Sequence, residues 1–418
     1  MNAFIRKGSF LPAVALFAAS IHAPGAAAAS LTNLGHNAGA QCVASDVNDS
    51  GIAAGACSAP NGTGPTVAWV ANGSGGEFAL APLATGRSCS ASGISNNGLV
   101  IGGCVDASGV GFAVTWTAPG TTVVKLLPLS GLLGLGADVS TDLEAFNEHG
   151  DLAGSSISGG GNSTSVIWKA GSTTPVTVSS PGDNCVPVDI AEPVGTANPE
   201  VVLDCPNGTG VTKAVVATPT GLLGAYLMTT LAPAPGASYC VAQSINVSLR
   251  IMGSCIFPTA PTSRVAFWQP PSTTAVALSI TYNGVAVNTS GAFLNDLGNI
   301  VFEFQTVDGK SNAAYMAINA GGTVTAIDAI PVLATGRTVH ATGFGASDLV
   351  VVVGHNADDH MQSAVWNPVF PAVLSPVPPF SGGGPSNALL AVSKSGNQAA
   401  GVVEDSAHVA DPVVTSLP

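Results

Sequence analysis

Short apolar stretches alternate with Gly-, Asn- and Ser-rich breaks along the chain, and one phrase returns about every 49 residues. A polar turn opens each unit, as in Asn48-Asp49-Ser50-Gly51, Asn96-Asn97-Gly98 and Asn246-Val247-Ser248. The turn glycine or its counterpart falls at Gly51, Gly98, Gly150, near Gly195, and at Leu249, Gly298, Asp348 and Gly396. A short strand follows: Ile52-Ala53-Ala54-Gly55, Leu99-Val100-Ile101-Gly102, Asp151-Leu152-Ala153-Gly154 or Arg250-Ile251-Met252-Gly253. After a polar loop, the next strand ends in tryptophan in five units, at Trp69, Trp116, Trp168, Trp268 and Trp366. A fourth apolar segment closes the unit, such as Phe78 to Leu83 or Val123 to Leu127. Nothing beyond residue 29 has a helical period, so each unit predicts four short strands joined by tight turns. That is the content of a β-propeller blade, and the fold class expected is an all-β propeller. A parallel β-helix, the structural rival, has much shorter coils.

The two ends predict how the ring closes. The last unit supplies a hairpin from Leu389 to Val403 and a third strand near Val409 to Val414, with no clear fourth. Leu31-Thr32-Asn33-Leu34-Gly35 resembles a fourth strand with no blade before it. Joining them removes two exposed sheet edges and gives eight blades. A degenerate fourth unit leaves seven as the alternative count.

The eight cysteines fall into four pairs: Cys42/Cys57, Cys89/Cys104 and Cys240/Cys255 at one spacing, and Cys185/Cys205 five residues wider. Opposed residues of an antiparallel hairpin are equidistant from its turn; the first three pairs centre on 49.5, 96.5 and 247.5, inside the turn segments, and the fourth brackets the looser stretch around Gly195. Each pair therefore predicts a disulfide across one hairpin. Metal thiolates are the rival, but the pairs lack the close C-x-x-C knuckle of zinc sites.

Export fits this cysteine usage. Arg6 and Lys7, an apolar run from Phe10 to Ala19, and Ala26-Ala27-Ala28-Ala29 before Ser30 read as a signal peptide over 1–29. A single repeat domain over 30–418, 389 residues long, is expected after cleavage. Removing Arg6 and Lys7 from 11 basic residues leaves 9 against 24 acidic ones, a net charge of −15. Such a chain is a poor partner for nucleic acid or anionic lipid. No membrane span is expected in the mature chain, and the protein is expected to be a secreted or periplasmic monomer.

The phrase A-x-x-Asn-x-x-Gly-x-x-x-Gly with a later tryptophan-ended strand is similar to the extracellular HAF-repeat family of bacteria. Ser45 to Gly55, Ile94 to Gly102, Phe146 to Gly154 and Phe293 to Ile300 carry it, while units four, five and seven depart from it. The resemblance implies an exported β-propeller-like repeat and brings no common activity to any residue.

Candidate chemistry is sparse. His340 and His355 centre on 347.5 and are expected to face each other, with Val339 and Asn356 in the places that Cys89 and Cys104 hold in unit two. With Asp358 and His360 nearby, they form a candidate divalent-metal site. No other cofactor is indicated. Asp46 to Gly51 resembles the start of a calcium loop, but Cys57 stands where the twelfth-position carboxylate belongs, so a hairpin turn is preferred. The tryptophans read as wedges between blades, with sugar stacking as the sharper alternative. Asp46, Asp142, Glu144 and Glu148 are acids near first strands or turns that could converge on a propeller channel. No linear catalytic motif is present, and no catalytic residue is assigned. The expected function is a non-catalytic propeller binding a protein or glycan. The alternatives are a glycoside hydrolase or polysaccharide lyase, and a structural cell-surface or matrix protein.

Overall fold

The computed structural model describes residues 31–34, 40–59, 63–72, 77–118, 122–131, 136–192, 198–206, 211–221, 224–381, 383–405 and 409–418. The signal-peptide reading over 1–29 and the turn at Gly195 lie outside the described residues. Eight four-stranded antiparallel sheets form the blades of one ring, with no helix among the described residues. The innermost strands of blades 1 to 8 are Gln41–Val47, Cys89–Ile94, Ser140–Phe146, Val186–Ile190, Tyr239–Ile245, Thr289–Leu294, Val339–Phe344 and Asn387–Val392. An extra hairpin, Ile280–Tyr282 with Val285–Val287, separates blades 5 and 6.

The ring closes as the two ends of the sequence predict. Thr32–Asn33 pairs with Ala410–Ser416 as the fourth strand of blade 8, setting Thr32 opposite Val414 and Asn33 opposite Val413. The degenerate unit four is a complete blade, so the count is eight.

Two local rules repeat around the ring. The predicted turn positions need a left-handed backbone: Gly51, Gly98, Gly150, Gly298 and Gly396 have positive φ, as do Leu249 and Asp348, which stand where glycine is missing. Each innermost strand also carries a β-bulge, between Ala44 and Asp46 in blade 1 and at the matching place in the other seven. The bulge pushes a carbonyl toward the second strand. A Cβ on Gly55, Gly102, Gly253 or Gly401 would lie 2.0 Å from that carbonyl oxygen, which explains the glycine ending the second-strand phrase.

The five tryptophans are at most 1% exposed and sit in the wedges between blades. The indole N–H groups of Trp116, Trp168 and Trp268 donate to Ala81, Leu127 and Ala232 in the segments leading from the previous blade. Rings buried this fully offer no face to a sugar. All four predicted disulfides are formed, Cys42–Cys57, Cys89–Cys104, Cys185–Cys205 and Cys240–Cys255, each within one blade. Four cystines suit an oxidising compartment. Among the described residues no helix is long and apolar enough to cross a membrane.

Candidate functional site

The first-hairpin turns of the blades share one end of the ring and surround the mouth of its channel. A cavity of about 400 Å³ opens there, lined from seven blades by residues that include Asp46, Ile94, Phe146, Glu148, Asp189, Glu192, Phe293, Asp296, Phe344 and Lys394. The innermost strands place these side chains because each ends at its turn on this face.

The mouth is laced by hydrogen bonds that run from blade to blade. The N–H of Asp49 donates to Asn96 Oδ1, that of Asn96 to Glu148 Oε2, and that of Glu148 to Glu192 Oε1. The N–H of Ser395 donates to Asp49 Oδ1, carrying the pattern across the closure between blades 8 and 1. One layer deeper, turn asparagines do the same work: the side-chain amides of Asn48, Asn147, Asn246 and Asn295 donate to Ser95, Ala191, Asn295 and Gly345 carbonyls in the next blades. The recurring Asn of the turn phrase is thus a blade-to-blade stitch.

Asp46 and Asp189 occupy the same place after the bulge in blades 1 and 4. Asp46 Oδ2 accepts from Ile94 N–H at 2.9 Å and Asp189 Oδ2 from Ile245 N–H at 2.8 Å, so each caps the inner edge of the following blade. Asp204 caps Ala242 N–H at 3.1 Å on that same blade 5 strand. Burial pushes Asp46 up to about 7 and Asp204 up to about 6, and raises Asp189 and Glu148, against the pull of those N–H donors. Burial also acts on Asp49, but the Ser395 N–H and the side chains of Ser395, Ser393 and Asn96 outweigh it and hold this carboxyl below the usual range. Glu144, the bulge residue of blade 3, accepts from Ser155 Oγ at 2.9 Å. Its surface is open to solvent, yet surrounding protein still desolvates it enough to push it up to about 7. Asp142, beside it, is exposed and accepts from Leu143 N–H. Of the four channel acids read from the sequence, Asp46 and Glu148 therefore line the mouth cavity, and Asp142 and Glu144 lie along the innermost strand of blade 3. Asp189 and Glu192, three residues apart in blade 4, and Asp296 in blade 6 escaped notice because only the ring brings them together with Asp46 and Glu148.

The segment Asp46 to Gly51 is a hairpin turn, closed by Asn48 N–H to Ile52 O at 3.0 Å, with Asp46 committed to backbone. The histidine register of unit seven needs correction. Val339 pairs with Gly354, His340 with Val353, and His355 faces Met361 on the third strand. Outside the bulge this hairpin centres one residue earlier than the two histidines require, so Gly354 and not Asn356 stands in the cysteine place. His340 turns instead to blade 6, its Nδ1 3.2 Å from Glu303 Oε1. Asp358 is exposed on the turn before His360, and among the described residues no group of three or more His, Cys, Asp or Glu could hold a metal ion.

No family model matches the chain, and no curated protein matches it. Solved structures do. The β-propeller domain of the Trilobed protease from Pyrococcus furiosus, described as having an open velcro topology, is 12% identical with a TM-score of 0.50, covering 82% of this chain and 99% of that one. A post-proline cleaving enzyme from Rickettsia typhi is 8% identical with a TM-score of 0.54, covering 90% of this chain. The chain spans 57% of that enzyme's length. At these identities the likeness is one of fold, and it makes this chain a β-propeller.

Proposed function

We propose that the chain is an exported propeller of the HAF-repeat kind that binds a protein or glycan at the channel mouth and does no chemistry on it. The observation that carries this reading is the use to which the mouth carboxylates are put. Asp46 and Asp189 cap backbone N–H groups, and Asp49, Glu148 and Glu192 accept from the turns of neighbouring blades. Groups tied down in this way make a rigid, shaped rim, which lowers the ordering cost of binding. The four cystines and the basic-apolar-small order of residues 1–29 support export.

A second reading, a glycoside hydrolase or polysaccharide lyase, draws on Asp46 and Glu144, whose carboxyls at about 7 suit a general acid at neutral pH. One experiment separates the two. The natively secreted protein is incubated with a panel of polysaccharides and, in parallel, applied to a glycan array and crosslinked in its own culture medium. Saturable capture with no new reducing or unsaturated ends is expected. Cleavage that disappears in Asp46→Asn or Glu144→Gln would replace binding with catalysis.

A further inference from the structure

The mouth face is not uniform around the ring, and its two sides differ in chemistry. Over blades 1 to 4 the rim is acidic: Asp49, Glu148 and Glu192, with Asp46 and Asp189 beneath them. The hydrogen bonds these rim carboxylates receive come from backbone N–H groups and from the side chains of Asn96, Ser393 and Ser395, all neutral donors that fix position, while Lys394 acts on Glu148 only through space. The nearby lysines are already engaged, Lys394 with Asp296 at 3.2 Å and Lys169 with Asp151 at 3.0 Å.

Over blades 5 to 7 the same face carries exposed apolar side chains, and its Asp296 is paired with Lys394. Val247 and Leu297, in the first-hairpin turns of blades 5 and 6, are 40% and 60% exposed. In blade 7 the loop after Trp366 returns to this face and reads Asn367-Pro368-Val369-Phe370-Pro371-Ala372-Val373. Its Val369, Phe370 and Val373 are 73%, 46% and 55% exposed. The corresponding loops of blades 3 and 5 begin Lys169-Ala170-Gly171-Ser172 and Gln269-Pro270-Pro271-Ser272, without such side chains. Between the rim and this loop the cavity wall is Phe293, Leu294 and Phe344. Val307 and Leu227 are also well exposed, but each stands alone, on the opposite end of blade 6 and on the outer strand of blade 4. Apolar side chains gathered in one sector beside a cavity mark an interaction surface.

Resting on the binding-propeller reading, we propose that this face docks a protein segment with apolar residues at one end and lysine or arginine at the other. The apolar end lies over blades 5 to 7, against Leu297, Val369 and Phe370. The cationic end crosses the channel to Glu148 and Glu192. Charge selects this occupant: a second copy of this acidic chain, a nucleic acid or an anionic bilayer would set like charge against the rim.

The test uses the full secreted chain and a fluorescein-labelled peptide with leucine and phenylalanine in one half and lysine in the other. Controls are its scrambled form and a form with glutamate in place of lysine. Saturable binding is expected, weakened about tenfold by Glu148→Gln with Glu192→Gln, and by a similar factor by Val369→Ser with Phe370→Ser. The acid variant loses most of its salt dependence, whereas the apolar variant keeps it. Both pairs leave melting in place, because glutamine retains the acceptor and the apolar residues are exposed. Equal binding of the scrambled peptide, no saturable binding, or binding indifferent to both double variants overturns the proposal. Binding of the apolar sector to vesicles of zwitterionic phospholipid would do so as well. Should a glycan array be bound through the mouth while the peptide is not, this inference falls and the binding reading stands. If the chain instead cleaves a polysaccharide, the binding reading itself falls.

Discussion

Blades 2 and 7 share the phrase Leu-Ala-Thr-Gly-Arg ahead of their innermost strands, Leu83 to Arg87 and Leu333 to Arg337, and the same turn closes each, Arg87 N–H to Ala84 O and Arg337 N–H to Ala334 O. Their wedges are nevertheless filled differently. In front of blade 2 the side chains are small, Ala54, Ala68 and Ala91, around Trp116 and the Cys89–Cys104 bond. In front of blade 7 the cystine gives way to Val339 and Gly354, and Tyr315, Phe344 and Trp366 pack together, with the Tyr315 ring 5.3 Å from Trp366 and 6.0 Å from Phe344. The contrast recurs in part of the ring. Cystines of blades 1 and 5 also lie among alanines, while the cystine-free wedge of blade 6 is built from Phe267, Phe302, Phe304, Met252 and Met316. Blade 4 breaks a strict rule, since its Cys185–Cys205 bond lies among Ile167, Ile190, Val201, Leu203 and Val215, so a staple and a full apolar wedge also occur together.

If packing and not the cystine is the common foundation, removing the tryptophan should hurt both blades alike. Trp116→Ala and Trp366→Ala are each expected to cost about 3–5 kcal/mol, read as loss of denaturation midpoint at constant slope. A Trp116→Ala protein close to wild type while Trp366→Ala collapses would mean that the bond carries blade 2 and would break the comparison.

The bond itself comes next in size. Cys89→Ala with Cys104→Ala opens a loop of sequence separation 15 and is expected to cost about 3 kcal/mol or less in the chain-entropy picture. The ring should stay closed, with unchanged circular dichroism, since each cystine lies inside one blade and none spans the seam between Thr32–Asn33 and Ala410–Ser416. Loss of the propeller spectrum on this change would overturn the view of the cystines as local reinforcement. The reverse graft is obstructed: a Cβ at Gly354 would approach Thr338 O to 2.6 Å.

The blade count, the closure, the turn positions and the cystines were all legible because each depends on chain-local spacing. Gly51 and its counterparts announce a positive φ, and equidistance from a turn pairs cysteines without knowledge of the rest of the ring. His340 was misplaced because its symmetry with His355 fixes a centre of 347.5. The offset of 250 residues between Leu83 to Arg87 and Leu333 to Arg337 instead carries the cysteine register to a centre of 346.5 and pairs His340 with Val353. The mouth was the least legible part. Asp46, Glu148, Asp189 and Asp296 come from four blades with no shared motif, and the loop Val369 to Val373 became notable only once the ring put it on the same face as Leu297.

Acidity separates the two halves of the ring by a smaller, graded effect. Asp46, Asp204 and Glu144, all in blades 1 to 4, have carboxyls pushed by burial to about 7, about 6 and about 7. Each is raised above its unfolded value near 4, so the folded chain holds more protons than the unfolded one between roughly pH 4 and 7. Their contribution to stability is therefore full at the acidic end of that window and is lost as pH rises through the folded values. The melting temperature is expected to fall by a few degrees between about pH 5 and 8, opposite in sign to ordinary acid denaturation. Asp46→Asn keeps an acceptor for Ile94 N–H without a charge to desolvate, so it should flatten part of that slope and raise melting at pH 8. A slope unchanged in Asp46→Asn would remove this carboxylate from the account and leave Asp204 and Glu144 as its source.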